Sequence, residues 1–280
     1  ATYAYDASGR VTSTEHAGRA GRYVFTYGSN NTTTVVDPLG ATTQYGFSSS
    51  GGAFRKASHS IACRDCGNVA SRTYDAKGNP ATETDFNGRQ KQFVFDAVRN
   101  LETSRTEAFG TANARTITTA WHSTFRIPTQ IDEPGRRTSF THDSNGNALT
   151  KTITDLTTSA TRTWTYTYDS YGRVLTENGP RTDVTDTTTY TYYTCTSGSE
   201  CGELHTVQNA LGQTTTLHTY NAHGQALTIT DANGAVTTLT YDARQRVTSR
   251  TVAGEQTTFE YSPTGLLRKT TLLDGSFLQY

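Results

Sequence analysis

The sequence predicts an all-β protein, a long antiparallel meander of repeated β-hairpins, and three observations carry that expectation. Thr supplies about one residue in five of the 280, Tyr is the commonest aromatic at 16, and Met is absent, a mixture that suits pleated sheet better than helix. A unit of aromatic-x-aromatic-Asp-x-x-Gly recurs along the whole chain. Between the turn signals lie segments of about seven to nine residues, which at roughly 3.3 Å per residue span on the order of 25 Å as strands. The hydrophobic fraction is 33%, below the roughly 45–50% of ordinary domains, so the interior has to be unusual.

The first kind of turn appears as Tyr3-Ala4-Tyr5-Asp6-Ala7-Ser8-Gly9-Arg10 and returns as Tyr74-Asp75-Ala76-Lys77-Gly78, Phe140-Thr141-His142-Asp143-Ser144-Asn145-Gly146 and Tyr166-Thr167-Tyr168-Asp169-Ser170-Tyr171-Gly172-Arg173. Looser copies follow at Tyr220 to Gly224, Tyr241 to Gln245 and Tyr261 to Gly265. A second kind alternates with it: Asp37-Pro38-Leu39-Gly40, Asp85-Phe86-Asn87-Gly88, Asp132-Glu133-Pro134-Gly135, Asn209-Ala210-Leu211-Gly212 and Asp231-Ala232-Asn233-Gly234. Both make sense as hairpin tips. Asp or Asn accepts a hydrogen bond from the backbone two residues on, Pro presets φ, and Gly supplies the positive φ that matches turn to strand twist.

Aromatics two apart share one face of a strand, which fixes the register of the hairpins. Tyr3 and Tyr5, Phe93 and Phe95, Phe140 and His142, Tyr166 and Tyr168, Leu239 and Tyr241, and Phe259 and Tyr261 are such pairs. With strands about 4.8 Å apart these residues are expected to form rows, each cross-strand contact contributing roughly 0.2–1 kcal/mol. Three stretches break the rhythm: Asn30 to Val36, Ser48 to Cys66 and Thr182 to Gly202, expected as elongated hairpins or protruding loops. Neither period nor charge marks a domain boundary, so residues 1–280 read as a single array, a fragment or processed piece of a longer chain.

Basic and acidic residues number 25 each, giving a net charge of zero and no basic surface for phosphate, which argues against a nucleic-acid partner. No stretch approaches the roughly 18 apolar residues of a membrane helix, so no membrane insertion is expected, and Ala1 to Tyr5 has neither region of a signal peptide.

The alternating Tyr-Asp-x-x-Gly-Arg and Asp-x-x-Gly-x-x-Thr units resemble the YD repeat, also called the RHS repeat. About a dozen copies, spaced roughly 20–28 residues apart, carry the resemblance over nearly the whole chain. Its known members include bacterial RHS polymorphic toxins, shell subunits of insecticidal toxin complexes, wall-associated proteins and teneurins. The resemblance implies a sheet that spirals as a ribbon into a shell or barrel-like cocoon, often around a toxin domain, in a secreted or cell-surface bacterial protein. The partner it implies is the rest of a longer chain or an enclosed cargo domain. Asp96 to Asn100 lacks the turn Gly, Gln245 replaces it after Tyr241-Asp242, and Trp121-His122 stands where Tyr-Asp is expected; such drift suits a scaffold. The family's carboxy-terminal autoproteolytic signature is not found, and Tyr261-Ser262-Pro263-Thr264-Gly265-Leu266 lacks its Asp and Arg.

Chemical sites were weighed against this scaffold. The repeated aspartates could be paired acids for glycoside hydrolysis, but each occupies the position that caps its own turn. Cys63 and Cys66, and Cys195 and Cys201, form two local pairs; two disulfides, one shared zinc and a redox-active Cys-x-x-Cys all fit the spacing, with disulfides favoured for an extracellular chain. The seven histidines show no metal-ligand spacing, and no nucleophile turn, phosphate loop or calcium loop occurs, so no enzyme, metal or cofactor is expected. Trp121 and Trp164 could stack on a sugar ring, which keeps a glycan- or protein-binding adhesin module open as an alternative. A third reading is a self-assembling tube or filament, in which further copies add through unpaired edge strands.

Overall fold

A computed structural model describes residues 1–60 and 69–280. Cys63 and Cys66 lie outside the described residues. The chain is all-β: 25 strands are assigned among the described residues, together with one 3-10 turn at Ala17–Arg19. No helix among them is long and apolar enough to cross a membrane.

The chain divides into two compact units, Ala1–Thr138 with Asp155–Thr158, and Ser139–Thr154 with Ser159–Tyr280. In the first, each strand pairs antiparallel with the next in sequence, from Thr2–Tyr5 on Val11–Glu15 through to Arg115–Trp121 on Pro128–Glu133. The second unit repeats the plan from Ala148–Asp155 on Thr161–Tyr168 to Leu267–Thr271 on Phe277–Gln279. Both are hairpin meanders, as the turn punctuation predicts.

Of the two forms expected for the irregular stretches, the described residues take mainly the hairpin. Thr32–Val36 pairs on both sides, because a run of β-branched Thr and Val is a good strand whatever its polarity. Asn30 and Asn31, both at positive φ, make the tight turn before it. Gly51 and Gly52 do the same between Thr42–Ser50 and Ala53–His59. In the third stretch Thr187–Tyr192 is a paired strand, and the loop proper begins at Tyr193.

Alternation along the strands separates two faces. In Thr161–Tyr168, Trp164, Tyr166 and Tyr168 are half-buried while Thr165 and Thr167 are exposed; Phe93, Phe95, Phe140, Phe259 and Tyr261 follow the same rule. Fully buried apolar side chains are few: Leu101 is 6% exposed and Tyr220 7%. His59, 5% exposed, packs edge-on against Phe86 at 5.2 Å, and burial lowers its tendency to protonate. Tyr3 and Tyr5 depart from the expected rows by being largely exposed, since Thr2–Tyr5 has a partner strand on one side among the described residues.

Stability distributed in this way makes turn damage local. Gly146 has φ +88°. Gly146→Val should cost about 1–2 kcal/mol by forcing a branched side chain into the left-handed region. Hydrogen exchange should rise in its own hairpin and stay unchanged around Asp231 and Gly234; uniform loss of protection would contradict the local picture.

Candidate functional site

The site that repeats along the chain begins at the turn. Asp143 Oδ1 accepts hydrogen bonds from the backbone N–H of Asn145 and Asn147, both at 2.9 Å. The N–H of Gly146 donates to the Asp143 carbonyl at 3.1 Å, and that of Asp143 to the Asn147 carbonyl at 2.9 Å. This is a type I turn closed by a left-handed glycine. The pairs Asp6/Gly9, Asp37/Gly40, Asp75/Gly78, Asp85/Gly88, Asp169/Gly172 and Asp231/Gly234 have the same bonds, with every one of these glycines at positive φ. Where glycine is missing, Gln245 (φ +63°) and Asn100 (φ +58°) take up the strained conformation.

In the copies that keep arginine, the second carboxylate oxygen reaches outward to it. Asp6, Asp169 and Asp242 hold Arg10, Arg173 and Arg246 at 2.8, 2.7 and 2.6 Å. Each guanidinium then lies over the tyrosine ring of the next hairpin: Arg10 over Tyr27 at 4.5 Å, Arg173 over Tyr192 at 4.4 Å and Arg246 over Tyr261 at 4.3 Å. Asn147 takes the arginine's place beside Asp143, donating from its amide at 2.8 Å. That amide holds Asp143 below the usual carboxylate range, as the Arg246 guanidinium does Asp242 and the Arg10 backbone N–H does Asp6.

The tyrosine clamped by that arginine completes the link. Tyr192 donates its hydroxyl to the carbonyl of Val174 at 2.9 Å, and Val174 is the register partner of Tyr168 beside a bulge in the ladder. Tyr220 donates to Leu204, the partner of Tyr192, at 2.6 Å; Tyr241 to Ala226, the partner of Tyr220, at 3.0 Å; and Tyr261 to Val247, the partner of Tyr241, at 2.9 Å. Tyr168 starts the series with a 2.8 Å bond to Ala148. In the first unit Tyr27 donates to Val11, the partner of Tyr5, at 2.8 Å. Trp121 fills the tyrosine position there: its indole N–H donates at 2.8 Å to Glu102, which pairs with Phe95. Successive tyrosines are thus joined through a carbonyl and, in three places, a guanidinium, rather than ring on ring.

The opposite face carries a second link. In four hairpins the threonine before the aromatic meets a threonine nine residues on: Thr73 with Thr82, Thr141 with Thr150 and Thr167 with Thr176, each at 2.7 Å, and Thr219 with Thr228 at 3.1 Å; Thr191 meets Thr206, fifteen residues on, at 2.6 Å. Neither this pairing nor the role of the arginine was read from the sequence, although the nine-residue spacing after those four Thr-aromatic pairs carries the signal. Trp164, the other tryptophan singled out, is half-buried with the Lys151 ammonium 5.3 Å from its ring. Cys195 and Cys201 form a disulfide, their Cα atoms 5.0 Å apart. No group of three or more metal-ligating side chains occurs among the described residues.

A family model described as RHS Repeat matches residues 220–255, the hairpins that carry Tyr220, Tyr241 and their turns. The matched stretch is an RHS repeat. No curated protein matches the chain in sequence. Solved structures similar to this chain include the TcdB2–TccC3–Cdc42 crystal structure, 14% identical with a TM-score of 0.58. Another is TcdB2–TccC3 without its hypervariable C-terminal region, 13% identical with a TM-score of 0.58. A mutant Tc holotoxin pore from Photorhabdus luminescens is 13% identical with a TM-score of 0.52. Each match covers 97% of this chain and 18% of the other, so the chain spans under a fifth of the length of those it resembles. What they share with it is the fold.

Two expected outcomes follow from the link. Tyr192→Phe should destabilise the protein by about 1 kcal/mol, the net worth of one hydrogen bond, as read from the urea midpoint. A loss within error of zero would mean that the hydroxyl bond is idle. Burial pushes Tyr168, Tyr192 and Tyr241 above the ordinary tyrosine value of 10.0 and Tyr220 up to about 12. A folded value above the unfolded one means that the native state keeps protons which the unfolded chain has released. Stability should therefore hold below pH 10 and fall steadily between pH 10 and about 12, checked by chemical denaturation across that range.

Proposed function

We propose that the chain is a wall segment of an RHS-type shell that encloses or presents a toxin or cargo domain in a secreted or cell-surface bacterial protein. The observation that carries this reading is the unbroken tyrosine-to-carbonyl series from Tyr168 to Tyr261, a device that fixes each hairpin to its predecessor and does nothing to a substrate. It suits a wall, because a wall needs extent and stiffness more than a central core. The likeness of fold to TcdB2–TccC3 supports the same reading, and so does the RHS repeat at residues 220–255. The aspartates serve their own turns, and we assign the chain no catalytic step. The cysteine loop suits an oxidising compartment, which favours the cell surface or the medium.

Electron microscopy of the complete native protein, with limited proteolysis in parallel, tests the proposal. A hollow particle, with an internal domain that resists protease until the wall is opened, is expected. A solid particle, a filament, or a cargo domain digested as fast as free peptide would overturn it.

A further inference from the structure

We propose that the Cys195–Cys201 disulfide is a redox-controlled latch, holding the loop 193–203 over the following hairpin until a dithiol releases it. The inference does not rest on the shell reading. The loop is not folded on itself alone. At its base, the N–H groups of Tyr193 and Gly202 donate to the carbonyls of Glu203 and Tyr193, both at 3.0 Å. From there it reaches forward. Tyr193 donates its hydroxyl to the carbonyls of Leu217 at 2.8 Å and His218 at 3.1 Å, and its ring lies 4.3 Å from that of His205. Ser199, inside the disulfide ring, donates from Oγ to the Tyr220 carbonyl at 2.6 Å. Arg173 holds the loop from the hairpin behind, donating to the Gly202 carbonyl at 2.8 Å.

Tyr220 is the residue whose carbonyl the loop holds through Ser199. It is the most buried tyrosine described, 7% exposed, and a member of the tyrosine-to-carbonyl series. Between the two cysteines the chain has no strand pairing and few bonds of its own: Cys201 N–H to Gly198 at 3.4 Å is the longest of the turn bonds there. A segment without strand pairing costs conformational entropy to keep in one place, and the covalent ring reduces that cost by restricting its alternatives. Removing the bond gives the freedom back at the point where Ser199 holds the Tyr220 carbonyl.

The step balances as thiol–disulfide exchange. Cys195 is exposed and Cys201 half-buried, so the thiolate of an external dithiol attacks Sγ of Cys195 and expels Cys201 as a thiolate, which takes up a proton. The second thiol of the reductant then attacks the mixed disulfide and frees Cys195. The protein gains two electrons and two protons, and the dithiol leaves as a cyclic disulfide.

The test uses the full chain with Cys63→Ser and Cys66→Ser, so that Cys195 and Cys201 are the remaining cysteines, with and without dithiothreitol; mass spectrometry verifies the gain of two hydrogens. Reduction should raise amide exchange in Leu217 to Tyr220 by roughly tenfold. It should also bring tyrosinate absorbance to lower pH, while exchange around Tyr261 stays unchanged. The pH shift should vanish in Tyr220→Phe. Unchanged exchange at 217–220 after verified reduction would overturn the latch, and so would an equal rise in every hairpin. If the double serine chain does not fold, the comparison of Cys195→Ser/Cys201→Ser with the untreated native sequence gives the same readings.

Discussion

One bond, from a phenol hydroxyl to the backbone carbonyl that follows the preceding tyrosine turn, sets the logic of the second unit. The bulge beside each turn interrupts the ladder where the chain bends, and interrupted backbone needs a partner from somewhere. A tyrosine is long enough to supply it from the next hairpin. Phenylalanine would fill the same space and leave the carbonyl unserved. Once hydroxyl reach is demanded, the rest of the motif has a reason: aspartate caps the turn and aims the arginine, arginine presses on the following ring, glycine lets the backbone turn so tightly.

This arrangement replaces depth with repetition. Among the described residues Leu101 and Tyr220 are the buried apolar side chains, and the tyrosines of the series are held sideways by the preceding hairpin. Threonine does the corresponding work on the other side, hydroxyl to hydroxyl, which explains why a residue with modest hydrophobicity is so abundant. The first unit shows how far the rule bends. Trp121 donates from an indole nitrogen in place of a phenol, and Tyr74 reaches Lys56, inside its strand instead of at the start.

The hairpins were legible because turns are local: Asp and Gly three residues apart state their conformation without reference to anything distant. The face on which Phe93, Phe95, Tyr166 and Tyr168 lie was legible from the period of two. The partners of those residues were not, because a bond from Tyr241 to Ala226 depends on register across a bulge, and periodicity does not encode a register shift. Exposure of Tyr3 and Tyr5 escaped the reading for a related reason: a row is complete only where strands flank it on both sides. The polar run at Thr32–Val36 left hairpin and loop both open, because its polarity suits a loop while its β-branching suits a strand. The forward reach of Tyr193 and Ser199 had no repeat to announce it.

The two margins of the hairpins are built differently. In the second unit the tyrosine turns occupy one, short except for the loop after Tyr192, whereas the other is closed by Asp231–Gly234, by Ala253 and Gly254, and by the irregular run between Asn178 and Thr187. The phenol bonds of the series all lie along the first margin. Loops on the second can therefore change in length while the tyrosine side stays in step, which makes one border of the second unit tolerant of variation and leaves the other as its ruler.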